Sequence, residues 1–131
     1  MIRGLLFGDR ALALSRRGLD AAAARQRVIS NNTANVATPG YQARQVVFEE
    51  LIQQARASIP LDRTDDAHIA ALAEEIPAPR ERLSQDPVPE GAVNNVDLEQ
   101  EMVLMKENEV HYNALSQLLA RKYKGLEGAI R

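Results

Sequence analysis

A four-three repeat of large side chains near the end of the chain constrains the fold more than any other feature. From Leu98 onward, positions separated by alternating steps of four and three residues carry apolar or tyrosine side chains in eight of ten cases, and only Glu109 and Ser116 interrupt them. The eight members are Leu98, Met102, Met105, Tyr112, Leu119, Tyr123, Leu126 and Ile130. This repeat predicts one helix over residues 97–131, about 50 Å long, with a coiled-coil-like seam.

The start of this helix is marked by capping residues. Asp97 is a good N-cap, and Gln100 three residues later completes a capping-box pattern. The acidic Glu99 and Glu101 suit the positive end of the helix dipole. A second, partial stripe indicates that the helix meets more than one neighbour; its members are Leu104, Leu115 and Leu118.

The N-terminal third predicts a second long helix, from about Asp9 to Asn35. Its stripe contains Leu12, Leu19, Ile29 and Val36, with alanine and polar side chains between them. Small side chains allow a partner helix to approach closely but bury little area. We therefore expect an all-α fold in which the terminal helices form an antiparallel coiled-coil-like hairpin.

The charges of the two helices suggest how they pair. The N-terminal helix is basic toward its end through Arg25 and Arg27, and the C-terminal helix begins with acidic residues. An antiparallel arrangement sets these regions side by side. Because exposed ion pairs contribute only about 0–1 kcal/mol each, we expect charge to guide register more than stability.

A tight turn follows the N-terminal helix. Pro39 pushes Thr38 away from helical geometry. Pro39 and Gly40 suit the two central positions of a type II turn, because proline fixes a negative φ and glycine accepts a positive one. We expect the turn to end at Tyr41 and to direct the chain away from the helix pair.

The middle of the chain is less regular. The run VVFEELIQQARA predicts a short helix from Val46 to Ala57, within a segment 42–57. Five of the six prolines lie between residues 58 and 96, which favours an irregular connector there. The expected organisation is therefore 1–41, 42–57, 58–96 and 97–131.

Composition argues against several kinds of function. The chain has no cysteine, its two histidines lie far apart in sequence, and the net charge is −2. These features argue against a zinc site and against nucleic acid as a partner. No catalytic constellation accompanies Glu49 and Glu50, so we expect neither an enzyme nor a cofactor. No apolar stretch approaches the roughly 20 residues of a membrane span.

Three separated segments carry a family resemblance. The run SNNTANVATPGY at residues 30–41 resembles the N-terminal signature of bacterial flagellar rod, hook and hook-associated axial proteins. Residues 63–69 and 94–102, together with the KYKGL run at 122–126, resemble the proximal rod members of that family. One departure is Ala37, where many members have asparagine; it removes a side-chain hydrogen bond and leaves the turn residues intact.

The resemblance implies a structural role in the flagellar basal body. Members of this family leave the cell through the flagellar type III export apparatus, without a cleaved signal peptide, and polymerise into the periplasmic rod of the motor drive shaft. The implied partners are copies of the chain itself, other flagellar rod proteins, the membrane-ring and rod-adaptor proteins at the rod base, and the export apparatus. No direct membrane span is implied.

The expected assembly interface combines the stripe of the N-terminal helix, the seam of the C-terminal helix and the turn. Its residues are Leu12, Leu19, Ile29, Val36, Pro39, Gly40, Tyr41, Leu98, Met102, Met105, Tyr112, Leu119, Tyr123, Leu126 and Ile130. For Tyr112 and Tyr123, packing in the seam and an intersubunit hydrogen bond remain alternatives. An alternative function is a soluble helical adaptor or export chaperone that holds a partner helix with the same seam.

Overall fold

The computed structural model describes residues 2–57 and 76–130. The side chains of residues 2–11, 55–57, 126, 129 and 130 lie outside this description, as do segment 63–69 and much of the expected connector. The elements are α1 (Ile2–Ala34), β1 (Arg44–Val47), α2 (Glu49–Ala57), β2 (Arg80–Leu83) and α3 (Leu98–Ile130). The prediction of a mainly helical chain with long terminal helices is confirmed.

The two long helices pack against each other in opposite directions. Asn32, near the end of α1, bonds Glu101 at the start of α3, whereas Gly18 lies against Leu115 farther along α3. A Cβ atom at Gly18 would come within 2.9 Å of Leu115 Cδ1, so glycine permits the close approach here. The α1 side of the core is small; its buried apolar residues are Ala21, Ala22, Ala24, Val28 and Ile29.

The structure contains a two-stranded antiparallel sheet that was not predicted. Its strands, β1 and β2, come after α1 and before α3 in the chain. The helix expected from Val46 begins at Glu49, because residues 44–47 pair with Arg80–Leu83 instead. Strand β2 also falls within the segment 58–96 that was expected to be irregular. Because the two strands are far apart in sequence, neighbouring residues do not indicate their pairing, although β-branched Val46 and Val47 suit a strand.

The sheet and α2 lie beside the long helices. Strand β1 packs on α1. Ala43, just before β1, and Phe48, just after it, are both 5 % exposed. The backbone N–H of Ser84 donates to the Ala43 carbonyl oxygen at 2.7 Å and extends the strand pairing by one residue. The short segment after the turn is thus anchored at both ends of β1.

The expected helix ends are largely confirmed. Helix α1 ends at Ala34, one residue before the predicted end at Asn35, but it begins at Ile2 rather than near Asp9. Asp97 caps α3: its Oδ1 accepts hydrogen bonds from the backbone N–H groups of Glu99 at 2.9 Å and Gln100 at 3.2 Å.

The predicted turn is also present. Gly40 has a φ of 72°, and the N–H of Tyr41 donates to the carbonyl oxygen of Thr38 at 3.3 Å. These features match a type II turn with Pro39 and Gly40 at its centre.

The basic end of α1 lies beside the acidic start of α3, as expected, but no ion pair among the described residues joins the two helices. Arg25 pairs with Glu49 on α2, and none of the five ion pairs among the described residues joins α1 to α3. The helices instead meet through alanine, through the contact of Gly18 with Leu115, and through the buried amides of Asn32 and Asn108.

The positive φ of Gly40 gives a direct stability test. Gly40→Ala should lower the free energy of unfolding by about 1–2 kcal/mol, because an L side chain disfavours this conformation. No atom lies within 4 Å of a Cβ placed there, so the cost is one of backbone conformation alone. Urea denaturation measures it.

Gly125 in α3 provides the matched control, since an added Cβ also meets nothing within 4 Å there. Gly125→Ala should raise the free energy of unfolding by about 0.5–1 kcal/mol, as expected inside a helix. Equal effects of the two substitutions would contradict the turn assignment.

Candidate assembly surface

A buried asparagine joins the end of α1 to three other parts of the chain. The Asn32 amide nitrogen donates to the Arg44 carbonyl oxygen at 2.8 Å and to Glu101 Oε1 at 2.7 Å. Its oxygen accepts from the Arg44 N–H at 3.0 Å and from the Tyr41 hydroxyl at 3.1 Å. Asn32 is 1 % exposed, and all four of its hydrogen-bonding positions are used. It fixes the turn exit, β1 and α3 relative to α1.

A second buried asparagine, Asn94, holds the turn itself. Its amide nitrogen lies within 3.0 Å of the carbonyl oxygens of Asn35, Val36 and Thr38, and its oxygen accepts from the N–H of Val96 at 2.9 Å. The structure thereby brings together two segments that sequence reasoning treated as separate signatures.

The neighbouring Asn95 extends this connection to the sheet. Its Oδ1 accepts from the N–H of Ala43 at 2.7 Å, and its Nδ2 donates to the Asp86 carbonyl oxygen at 3.0 Å. The N–H of Gly40 also donates to the Val93 carbonyl oxygen at 3.0 Å. The turn is therefore held from the side that leads into α3.

The face of α3 that meets α1 is partly polar. Glu101, Asn108 and Leu115 lie on it at seven-residue intervals, and the first two are 7 % and 4 % exposed. Asn108 Nδ2 donates to the Ala22 carbonyl oxygen at 2.9 Å and to Gln26 Oε1 at 3.2 Å. Sequence reasoning missed Glu101 and Asn108 as contact residues, since polar side chains normally lie in solvent. Their seven-residue spacing was the available signal.

Two carboxyl groups near this contact have shifted pKa values in opposite directions. Burial raises the pKa of Glu101, and the charge of Asp97 adds to the shift, while the Asn32 hydrogen bond opposes it. Glu101 Oε2 is buried without a hydrogen-bond partner among the described residues. Burial would also raise the pKa of Glu49, but its hydrogen bond and ion pair with Arg25 outweigh this effect and lower it.

The helix pair has two different flanks. On one flank, α1, β1, α2 and α3 line a groove of about 370 Å³, which includes Val28, Val46, Leu104 and His111. Successive helix positions are about 100° apart, so Leu12 and Leu19 of α1 and the seam of α3 lie toward the opposite flank. We call that second side the open flank.

The open flank carries most of the expected interface residues. Leu98, Met102, Tyr112 and Tyr123 are 42 %, 60 %, 47 % and 42 % exposed. Leu12, Leu19, Met105 and Leu119 on the same flank are half-buried. Val36 and Tyr41 are also half-buried, but they lie in the segment that follows α1. The seam therefore runs beside the α1 contact and remains largely accessible.

The remaining expected residues fall elsewhere. Ile29 is buried at 5 % exposure, on the groove side of the contact. Pro39 and Gly40 are exposed at the turn. The side chains of Leu126 and Ile130 lie outside the described residues.

Tyr123 has a partner within its own chain. The guanidinium group of Arg16 donates to its hydroxyl group, from Nε at 3.1 Å and also from Nη2. The Arg16 Cζ atom lies 5.7 Å from the centre of the tyrosine ring. This bond joins α1 to α3 at the edge of the open flank.

Among the described residues, no group of three or more histidine, cysteine, aspartate or glutamate side chains is arranged to hold a metal ion. Within the same residues, no helix is both long and apolar enough to cross a membrane.

Comparison with known proteins identifies relatives. A family model described as "Flagella basal body rod protein" matches residues 12–42. The chain is 36% identical to the flagellar basal body rod protein FlgB of Cereibacter sphaeroides, over 82% of this chain and 83% of the relative. It is 31% identical to the FlgB of Bacillus subtilis over 79% of each chain, and 30% identical to that of Escherichia coli over 94% of each.

The bonds of Asn32 predict a large stability effect. Asn32→Ala should lower the free energy of unfolding by about 2–4 kcal/mol, because the Arg44 backbone groups and the buried Glu101 lose their partner. Asn31→Ala is the matched control, since the Asn31 side chain is exposed. Its effect should stay within about 0.5 kcal/mol. Urea denaturation of both variants tests the difference, and similar midpoints would argue against the role of Asn32.

The shifted pKa of Glu101 predicts a pH-dependent stability. A raised pKa in the folded state means that folding favours the protonated Glu101 carboxyl group. The stability that this group contributes is present below the ordinary pKa of about 4.3 and disappears as pH rises through the raised value. Glu101→Gln stays uncharged, so it should be more stable than the parent at pH 7, with a gap that narrows in acid.

Glu49→Gln serves as the control with the opposite sign. Because the folded-state pKa of Glu49 is lowered, its carboxylate contributes stability above the ordinary pKa, and the substitution should destabilise the chain at pH 7. Urea unfolding between pH 4 and 7.5 measures both profiles. A pH-independent gap for Glu101→Gln would contradict the shift.

Proposed function

The chain belongs to the FlgB family of flagellar basal body rod proteins, and from this premise we propose that it is a non-enzymatic subunit of the proximal rod. It leaves the cell through the flagellar type III export apparatus and polymerises through α1 and α3 into the motor drive shaft. Its neighbours are its own copies, other rod proteins, and the membrane-ring and rod-adaptor proteins at the rod base. Its site of action is the periplasmic part of the basal body.

The accessible seam on the open flank is the observation that carries this proposal. An apolar stripe that remains exposed beside a formed helix pair is typical of a surface that binds another protein. Met102 and Tyr112 are the most exposed of its members whose side chains the structure describes. Methionine adapts to irregular contacts, and tyrosine combines apolar area with a polar end, so both suit an intersubunit contact.

The turn has a positioning role in this proposal. Asn32 and Asn94 fix it on one side, while Pro39 and Gly40 remain exposed on the other. Residues 1–41 and 97–131 then act as the axial core, and segments 42–57 and 58–96 form the outer part of the subunit. The direction in which the chain leaves the core thus depends on two buried amides.

Substitution in the seam tests the proposal. Replacing Leu119 and Leu126 together with Asp should abolish incorporation into basal bodies, because each buried carboxylate would cost several kcal/mol at an apolar contact. Synthesis of the chain should continue. Incorporation is measured by the amount of the chain in purified basal bodies, and motility provides a second readout.

Asn113→Asp is a control at an exposed position of the same helix and should leave incorporation unchanged. Normal motility of the Leu119/Leu126 variant would contradict a role of the seam in assembly. Recovery of the unmodified chain from cytosol alone would favour the adaptor or export-chaperone alternative.

A further inference from the structure

The groove between α1, β1, α2 and α3 has two hydrogen-bond acceptors that the single chain leaves unpaired. Glu101 Oε2 and Asn108 Oδ1 are buried and form no hydrogen bond with any described residue. Both side chains line the groove, and they are only 7 % and 4 % exposed. Because an unpaired buried acceptor is unfavourable, a donor that enters the groove and bonds either oxygen stabilises the chain.

The two arginine side chains of the groove are already engaged. Arg25 forms an ion pair with Glu49, and Arg44 lies 3.7 Å from Glu81. The accessible wall of the groove is mainly apolar, and its apolar residues are Val28, Ile29, Val46 and Leu104. The occupant that fits is therefore a neutral side chain with a large apolar body and one donor.

Tyr112 on the open flank is such a side chain. It is 47 % exposed, and its hydroxyl group forms no hydrogen bond with any described residue. The hydroxyl group of Tyr123 is engaged by Arg16 of its own chain. The other exposed seam residues that the structure describes, Leu98 and Met102, have no side-chain donor. Tyr112 is therefore the seam residue that can donate to a neighbour.

The tyrosine and the groove lie on different flanks of the helix pair. His111 lines the groove, whereas Tyr112 lies about 100° farther around α3, toward the open flank. Tyr112 is thus directed away from the groove of its own chain. A second copy placed against the groove side can offer its Tyr112, and each further copy can repeat the contact.

The tyrosine and the acceptors are close in height along the helix pair. Tyr112 lies four residues beyond Asn108 and eleven beyond Glu101, which is about 6 Å and 17 Å along α3. A second copy in the same orientation, shifted along its axis by an amount in this range, has its Tyr112 level with one of the acceptors. A stagger of this kind is compatible with a helical polymer.

We propose that Tyr112 of one copy inserts into the groove of the next, with its ring against Val46 and Leu104 and its hydroxyl group donating to Glu101 or Asn108. This inference rests on the proposed function and names one of its contacts between subunits. The two surfaces differ, so the contact is heterologous and repeats from copy to copy as a closed ring or a helix. It joins the open flank of each copy to the groove side of its neighbour.

Removal of the hydroxyl group tests the hydrogen bond. Tyr112→Phe, produced together with the parent chain, should be about three- to tenfold under-represented in purified basal bodies, as expected for the loss of one buried hydrogen bond. Mass spectrometry measures the ratio of the two chains in basal bodies and in whole cells. Tyr123→Phe is the matched control and should incorporate like the parent, because its hydroxyl group serves Arg16. Equal incorporation of Tyr112→Phe and the parent would overturn the proposal.

Filling the groove tests the other surface. Val46→Phe places a ring where Tyr112 enters, so its incorporation should fall at least tenfold in the same competition. Val47→Phe is the control, because Val47 lies on the other face of β1 and does not line the groove. Urea midpoints of both variants show whether unfolding causes a loss. A Val46→Phe chain that incorporates normally would contradict the contact.

Photo-cross-linking identifies the occupant of the groove. Tyr112→p-benzoylphenylalanine, produced together with the parent chain, should give cross-linked dimers of this chain when basal bodies are irradiated. The linked peptide should contain residues 44–47 or 104–111. Links to another rod protein, or to other segments of this chain, would overturn the contact and leave the rod role intact. Absence of the unmodified chain from basal bodies would contradict the rod role itself.

Discussion

The arrangement of the described residues depends on one buried amide. Asn32 binds the N–H and the carbonyl oxygen of Arg44 as a neighbouring strand would, so it completes the edge of β1 that β2 does not cover. The same amide bonds Glu101 and the Tyr41 hydroxyl. A side chain of this size, with two donors and two acceptor positions, can align a helix end, a turn, a strand and a second helix at one point.

Features governed by neighbouring residues could be predicted from the sequence. The Asp97 cap, the turn at Pro39–Gly40 and the end of α1 each depend on a few adjacent side chains, and all three are present. The β1–β2 pairing could not be predicted, because its strands are more than thirty residues apart and each has only four residues. The face of α3 that meets α1 was also not predicted. Glu101 and Asn108 are polar and resemble solvent-facing residues until their buried partners are known.

In the helix pair, the residues that join the two helices differ from the apolar residues that remain accessible at the surface. Alanine, glycine and asparagine residues provide most of the contact between α1 and α3, while leucine, methionine, tyrosine and valine side chains remain accessible beside it. The usual distribution in a small domain is the reverse, because large apolar residues normally fill its core. The accessible apolar side chains are available for burial against a neighbour, which fits the role proposed for a rod subunit.

The amide bonds also determine when the chain can reach its final form. The bond between Asn32 and Glu101 spans 69 residues, that between Asn94 and the Thr38 carbonyl oxygen spans 56, and that between Ala43 and Asn95 spans 52. None can close before residues 94–101 are free to meet residues 32–43, and closing loops of this length carries an entropic cost. A chain emerging from a narrow channel in either direction therefore remains open until about three quarters of its length is outside. Completion of the fold thus requires that about three quarters of the subunit has left the channel.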